Sequence, residues 1–407
     1  MNLSRRSFLK STGLGFLALG LPPAFLVRAA KAQQVGKGKA MVVIFQRGAM
    51  DGLNAVIPFK DRAYYALRPS IAVEEPASGD DRVIDLDGFY GLHPALAPLK
   101  SIYDKGHLAI IHAAGSPDNT RSHFDAQDYM EIGTPGIKST PDGWLNRYLN
   151  AKKTSESPFR GVAVTAQLPR IFAGSAPALT LSSIDEFRLR NEAMAKTLQR
   201  LYTTTSDSLF RFGGQNLFAA MTELRQIEPR IPASAERYPN GRFGTSLAQI
   251  ARLIKADLGL EIAFTEIQGW DTHVNQGGAQ GQMANRLKEL AEGLSVFYRD
   301  LGDRTDDVVL ITMSEFGRTA RENGNRGTDH GHANVMFAMG GPVRGGKVYG
   351  RWPGLAPEVL YEGRDLSLTT DFRTVCSEVI GRHLGQKDLN KIFPGFRASP
   401  QTLGLIA

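Results

Sequence analysis

The segment 327–341, GTDHGHANVMFAMGG, places an aspartate and two histidines immediately before an apolar run. Asp329, His330 and His332 fall within this short stretch, although the whole chain has only eight histidines. Carboxylates and neutral imidazoles are the ligands that zinc, manganese and similar divalent cations prefer. We therefore predict that this cluster supplies at least one metal ligand; the alternative is a polar loop that happens to carry imidazoles.

Three further segments place carboxylates or an imidazole where a predicted strand ends. Asp51 follows the first strand, Asp271 and His273 follow the third, and Glu315 follows the fourth. Together with the cluster at 329–332 they make a set of candidate ligands large enough for one or two divalent cations. Simpler interpretations stay open: Asp51 could stabilise a turn, Asp271 and His273 could form a polar pair, and Glu315 could pair with a nearby arginine.

Ser122 opens the segment SHFD, which is close to a capping box at the start of a helix. A helix N-terminus also favours an anion, and a serine beside a metal can attack phosphorus or sulfur. Both roles, nucleophile and helix cap, stay open. Arg121, Arg318 and Arg47 are candidates to hold an anionic substrate, or are ordinary surface cations.

Apolar strands that alternate with helices must position these residues. We predict strands at 41–45 and within 107–133, 260–273, 306–319 and 334–341, and helices from Ser122, over 186–226 and over 279–300. Near-continuous apolar strands predict an α/β fold: a mostly parallel central sheet with helices on both faces. In such sheets ligands bind at the carboxyl ends of strands, where the candidate residues fall. We expect 33–407 to be one domain, with loop-rich insertions or lids at 60–90 and from about residue 350.

The first 32 residues have the pattern of a twin-arginine signal peptide. Arg5 and Arg6 precede a moderately apolar stretch, and Ala30-Lys31-Ala32 is a small-x-small cleavage site. We therefore expect the twin-arginine translocase as an export partner, cleavage after Ala32, and a periplasmic or secreted protein.

The charge balance changes once that segment is removed. The full chain carries 48 basic and 41 acidic residues, and residues 1–32 hold five of the basic ones and no acid. The remaining chain is nearly neutral, which argues against a nucleic-acid partner. No apolar stretch after the signal segment reaches the length of a membrane span. The single cysteine, Cys376, excludes an intramolecular disulfide.

Six motifs occur in a fixed order behind the signal segment: RGAMDGLN, HPAL, RSHFDAQDYMEIG, GWDTH, SEFGRT and TDHGHANVMFAMGG. From about residue 40 to the C-terminus they resemble the bacterial exported family known as domain of unknown function 1501. That family is similar to a distant branch of the alkaline phosphatase and sulfatase superfamily. The resemblance implies an alkaline-phosphatase-like fold with a one- or two-metal site.

The resemblance also implies residue roles. Asp51 matches the superfamily's metal aspartate after the first strand, and Ser122 its nucleophile. Asp271 and His273 match an aspartate and a histidine of one metal site, and a histidine of the 329–332 cluster matches the last ligand. Two features depart from the superfamily pattern: Asp271 and His273 are closer in sequence than usual, and the usual Asp-His pair after the fourth strand is displaced to 329–330.

Two functions are therefore open. The first is an exported, metal-dependent hydrolase of phosphate or sulfate esters, with a small anionic ester as substrate. The alternative is a non-catalytic exported binding or assembly protein that retains the fold.

Overall fold

The computed structural model describes residues 38–152, 157–185, 192–227, 234, 236–397 and 402–407. The predicted signal segment lies outside these ranges. None of the helices within them combines the length and the apolar character needed to cross a lipid bilayer.

Twelve strands lie in the described residues. In chain order they are β1 (Ala40–Arg47), β2 (Val56–Ile57), β3 (Ile84–Asp85), β4 (Gly91–Leu92), β5 (Leu108–Gly115), β6 (Gly161–Ala163), β7 (Leu179–Thr180), β8 (Ile262–Gln268), β9 (Val308–Met313), β10 (Asn334–Met339), β11 (Lys347–Tyr349) and β12 (Thr370–Asp371).

Ten α-helices are described in the same ranges. They are α1 (Gly52–Ala55), α2 (Arg62–Leu67), α3 (Lys100–Asp104), α4 (His123–Ile132), α5 (Trp144–Ala151), α6 (Glu192–Thr204), α7 (Ser208–Ile227), α8 (Arg242–Lys255), α9 (Gln282–Leu301) and α10 (Phe372–Glu378). Short 3-10 helices cover Pro94–Leu99, Arg170–Phe172, Gly302–Asp307 and Leu389–Lys391, and a π-helical turn covers Val379–His383.

Nine strands form the central sheet, in the order β11-β5-β10-β9-β1-β8-β6-β7, with β12 beside the end of β5. All neighbours are parallel except β10, which runs antiparallel to both β5 and β9. The remaining three strands form a small antiparallel sheet, β2-β4-β3. The predicted fold class, a mostly parallel α/β sheet, is confirmed.

Helices cover both faces of the sheet, as alternate residues of β1 show. Val42 and Ile44 pack in one core with residues of α8 and α9, and Val43 and Phe45 pack in another with residues of α5 and α10. Both sets are fully buried. A strand that is covered on both faces exposes neither face to solvent, and for this reason the sequence of β1 is an almost unbroken apolar run.

The five strands predicted from sequence are all present, and the predicted helix at 279–300 is α9. The helical prediction over 186–226 corresponds to α6 and α7, while 186–191 fall outside the described residues. The short strands β6, β7, β11 and β12 were not predicted, because two or three residues are too few to show a period. The region after 350 was expected to be loop-rich, but α10 contributes buried core residues such as Phe372 and Val375.

Candidate metal centre

The antiparallel course of β10 gathers the candidate residues at one edge of the sheet. β1, β5, β8 and β9 all end at this edge, and β10 begins there because it runs the opposite way. The loop after β5, the segment after β8 and the segment before β10 therefore meet, although they are far apart in sequence.

Three imidazoles surround the Asp271 carboxylate where these segments meet. Asp271 Oδ1 lies 2.9 Å from His273 Nε2 and 3.2 Å from His330 Nε2, and Asp271 Oδ2 lies 3.5 Å from His123 Nε2. The Nε2 atoms of His273 and His330 are 3.0 Å apart. Among the described residues, His123, Asp271 and His330 form a group whose ligand atoms all lie within 4.8 Å of one another.

The opposite nitrogen of each ring is held by an oxygen that can only accept a hydrogen bond. The Nδ1 atom of His123 contacts Glu315 Oε1 at 2.8 Å, and that of His273 contacts Asp329 Oδ1 at 3.0 Å. His330 Nδ1 lies 2.8 Å from the main-chain oxygen of residue 121. Each Nδ1 is therefore a hydrogen-bond donor, and Nε2 is the ring atom that is left to bind a proton or a cation.

These Nε2 atoms all face Asp271, whose oxygens can only accept, so a proton or a cation must lie between each ring and the carboxylate. Two nitrogen lone pairs 3.0 Å apart repel each other unless a proton or a cation lies between them. Ligands at about 2 Å from a tetrahedral ion lie about 3.3 Å from one another, close to the separations of Asp271 from the three imidazoles and of His273 from His330. Histidines whose Nδ1 is bound to a carboxylate or a carbonyl are also typical of metal sites. The residues therefore suit a divalent cation, and the roles of Asp271, His273 and His330 as its ligands stay a prediction.

Burial and neighbouring charges shift the pKa values of three groups in the centre. Burial acts to raise the pKa of Asp271, but the Arg318 guanidinium, 2.7 Å away, holds that pKa below its usual range. The hydrogen bond to Glu315 raises the pKa of His123, whereas burial lowers the pKa of His330. The Asp271 side chain is 44% exposed, so the centre is open to solvent on one side.

Two glycines allow the loop between β9 and β10 to fold back on itself. Arg318 and His330 pair as an isolated antiparallel bridge, flanked by hydrogen bonds between the Gly317 and Gly331 segments. A Cβ on Gly317 would meet the Ala333 oxygen at 1.9 Å, and one on Gly331 would meet the Arg318 carbonyl at 2.4 Å. The glycines of SEFGRT and TDHGHA thus bring Arg318 beside His330.

Four of the predicted ligands lie outside the group of three imidazoles and Asp271. Asp329 and Glu315 contact histidines of the group from outside. Asp51 is buried and its Oδ2 accepts hydrogen bonds from Arg68 and Gln276. The His332 ring is instead stacked on Tyr361, with ring centroids 4.2 Å apart.

Glu315 has its acceptor positions occupied. Its Oε1 accepts hydrogen bonds from His123, Gln127 and the main-chain N–H of Gly48, each at 2.8 Å, and its Oε2 accepts from Ser314. Burial acts to raise the pKa of Glu315, but these hydrogen bonds outweigh it and lower that pKa. Glu315 is therefore an ionised carboxylate that orients His123.

The predicted catalytic residues differ in whether their side chains are already bound by other residues. Ser122 is the N-cap of α4, and its Oγ accepts a long 3.4 Å hydrogen bond from the Asp125 N–H. Arg121 is bound to Glu362 and Asp365 at 2.6 and 2.7 Å. Arg318 is fully buried, and its Nη2 finds no hydrogen-bond partner within the described part of the chain.

His123 is the residue that sequence reasoning missed. It lies beside Ser122 in RSHFD, and the capping pattern drew attention to the serine. The sequence signal for a ligand was that this histidine follows the loop at the end of a strand. Gln127 lies in the same motif and, in the structure, also contacts Glu315. Arg47, a further candidate for anion binding, is instead paired with Glu131 and Glu266.

A family model described as "Protein of unknown function (DUF1501)" matches residues 108–392. The chain belongs to this family. The matched part of this DUF1501 chain contains every residue of the candidate centre, from His123 to His330, and begins after Asp51. The family predicted from the motifs is confirmed. No curated protein matches the chain in sequence.

Three solved structures are similar to this chain in fold at very low sequence identity. The zinc complex of the C-terminal periplasmic domain of EptC from Escherichia coli has 9% identity and a TM-score of 0.36, over 75% of this chain and 74% of that one. The PsFucS1 sulfatase from Pseudoalteromonas sp. has 11% identity and a TM-score of 0.42, over 95% and 76%. The lipoteichoic acid synthase LtaP from Listeria monocytogenes has 8% identity and a TM-score of 0.30, over 75% and 65%. At these values none of the three bears on the chemistry of the centre.

Proposed function

We propose that this protein is a metal-dependent hydrolase of phosphate or sulfate esters. The observation that carries the proposal is the convergence of three imidazole Nε2 atoms and Asp271 beside an unpartnered guanidinium nitrogen of Arg318. A cation site next to a free, buried hydrogen-bond donor suits a tetrahedral anion better than a neutral substrate.

In this proposal His123, His273, His330 and Asp271 hold one divalent ion, zinc or manganese in type. When bound by these residues, such an ion would supply Lewis-acid polarisation of the ester and positive charge against the developing negative charge. Arg318 donates from Nη2 to a second oxygen of the anion, and its bond to Asp271 keeps the guanidinium aimed at the centre.

Ser122 is our candidate for the nucleophile. Its Oγ accepts only a long hydrogen bond in the cap, so the hydroxyl hydrogen is free to be transferred. The attack would form an Oγ–phosphorus or Oγ–sulfur bond and expel the alcohol, and water would then release the inorganic anion. Arg121 is proposed to hold this loop in place through its acidic partners rather than to bind substrate directly.

Two substitutions separate the roles of Ser122. Asparagine retains a good N-cap but cannot attack, whereas alanine removes both functions. A nucleophile predicts loss of turnover in both variants, with the loss of stability confined to Ser122→Ala. Turnover that persists in Ser122→Asn would exclude Ser122 and leave water as the attacking group.

The export of the protein is part of the proposal. The twin-arginine segment would direct residues 33–407, one folded domain, to the periplasm or beyond through the twin-arginine translocase. Mass spectrometry of the protein purified from the envelope should give the mass of a chain that begins at residue 33. Replacing both Arg5 and Arg6 with lysine should leave the protein in the cytoplasm.

The deciding experiment measures metal content and hydrolysis together. Protein purified without chelators or a histidine tag should carry one equivalent of a transition metal by elemental analysis, and His330→Ala and His123→Ala should lose it. His107→Ala is the matched control, because His107 precedes β5 at the opposite edge and contacts Tyr298. Wild type should hydrolyse a member of an aryl phosphate and sulfate panel. Metal-loaded protein without any such activity would favour the non-catalytic binding protein instead.

A further inference from the structure

Two apolar side chains stand exposed directly beside candidate ligands. Phe124 follows His123 and is 90% exposed, and Val274 follows His273 and is 51% exposed. Phe124 is the most exposed large apolar side chain among the described residues, and apolar surface beside a binding site can contact a ligand. Phe124 makes almost no packing contribution to the fold, and it is the second residue of α4, directly after His123.

The charges around the centre limit the anion that it can hold. Three carboxylates contact the histidines: Asp271, Glu315 and Asp329. A divalent ion together with Arg318 would offset these three charges and leave little excess of positive charge. The centre therefore lacks the excess of positive charge that is needed to bind a doubly charged phosphate monoester.

The other arginines near the centre are paired with acids; Arg364, which donates to the His330 main-chain oxygen, lies 3.6 Å from Asp365. Arg47 and Arg121 reach this edge of the sheet, but each is bound to two carboxylates. Arg318 Nη2 is buried and has no hydrogen-bond partner among the described residues, and its guanidinium contacts Asp271 of the centre directly. One anionic oxygen can meet the cation and another can meet Arg318, while a third charged oxygen would face carboxylates.

We propose that the substrates of this site are singly charged esters, either phosphate diesters or sulfate esters, with an apolar substituent that lies against Phe124 and Val274. The inference rests on the proposed function and narrows its substrate class. It assigns Phe124 as a specificity-determining residue that contributes little to the stability of the fold.

The test measures binding of inert anions to the metal-loaded protein by calorimetry. The probes are methylphenylphosphinate, a singly charged tetrahedral anion with an apolar ring; dimethylphosphinate, which lacks the ring; and phenylphosphonate, which is doubly charged at alkaline pH. None of the three has an ester bond to hydrolyse. We expect methylphenylphosphinate to bind about tenfold more tightly than dimethylphosphinate, and more tightly than phenylphosphonate.

Phe124→Ala should remove most of the advantage of the phenyl ring and leave dimethylphosphinate binding unchanged. Phe212→Ala is the matched control, because Phe212 is 49% exposed on α7 and is not adjacent in sequence to any candidate ligand. Tighter binding of phenylphosphonate, or an unchanged ring preference in Phe124→Ala, would overturn this inference alone. If the metal-loaded protein bound none of the three anions, the proposed function would fall with it.

Turnover then separates the two sources of a singly charged anion. Hydrolysis of bis(4-nitrophenyl) phosphate would identify a diesterase, and hydrolysis of 4-nitrophenyl sulfate a sulfatase; either supports the inference. Preferential hydrolysis of 4-nitrophenyl phosphate would contradict it.

Discussion

Replacing Glu315 with glutamine removes one charge from behind the candidate centre while keeping its shape. The carboxylate accepts hydrogen bonds from His123, Gln127 and Gly48 on one oxygen and from Ser314 on the other. A glutamine oxygen can accept the same three bonds, and its amide can donate to the Ser314 hydroxyl. The fold should therefore be retained, while the His123 ring loses the negative charge that makes its Nε2 a strong ligand.

The expected loss of metal affinity depends on how many of the candidate ligands Glu315 contacts. Loss of an outer carboxylate typically weakens metal affinity by about 10- to 100-fold, or about 1.4 to 2.7 kcal/mol. Only His123 depends on Glu315, whereas His273 and His330 keep their own Nδ1 partners. We therefore expect the metal affinity of Glu315→Gln to be about tenfold lower than that of wild type.

Competition with a chromophoric zinc chelator measures this change directly. Glu266→Gln is the control, because Glu266 is a carboxylate bound to Arg47 near the same edge. Urea unfolding of the metal-free protein should show that both variants remain folded. If folded Glu315→Gln bound zinc as tightly as wild type, the view that Glu315 supports His123 as a ligand would be refuted.

Three further predictions concern the loop, the core and the buried ion pair. Gly331→Ala should abolish metal binding, measured by elemental analysis, because its Cβ would lie 2.4 Å from the Arg318 carbonyl carbon and oxygen and would push the bridge apart. Burial lowers the pKa of His112 to about 4 from its ordinary value of 6.5, so the unfolded chain binds more protons between these values. Stability should fall by about 3 kcal/mol as the pH drops from 6.5 to 4, and His112→Gln should reduce that dependence in urea titrations. Arg68→Met leaves the Asp51 carboxylate buried without its cation and should destabilise the fold by about 3 to 5 kcal/mol in the same assay.

That Asp271, His273 and His330 lie close together was predictable, because their proximity depends only on where the strands end. Carboxyl ends of parallel strands share an edge of the sheet, and apolar runs reveal such strands in the sequence. The antiparallel direction of β10 was not predicted, yet it explains why His330 precedes its strand whereas Asp271 follows one. A strand that begins at the same edge presents the residues before it.

The choice between neighbouring residues could not be read from sequence. Ser122 and His123 are adjacent, and capping rules describe only the serine. His123 is oriented by Glu315, which lies 192 residues later in the chain. Contacts at that separation depend on how the loops after β5 and β9 meet, and no local pattern encodes this meeting.

Asp51 illustrates how a residue outside the group can still serve it. Its Oδ2 accepts from Arg68 and from the Gln276 amide, so the Gln276 oxygen must face the other way, where it accepts from the Thr328 hydroxyl. Thr328 Oγ1 in turn accepts from Arg318 Nε at 3.2 Å and helps to leave Nη2 free beside the centre.

The direction of each hydrogen bond in this chain therefore depends on the negative charge of Asp51. In Asp51→Asn the new amide can donate to Gln276, which allows the Gln276 amide to turn and leaves Thr328 a poorer acceptor for Arg318. We expect weaker binding of methylphenylphosphinate with one equivalent of metal retained. Loss of the metal in this variant would instead support the original assignment of Asp51 as a ligand.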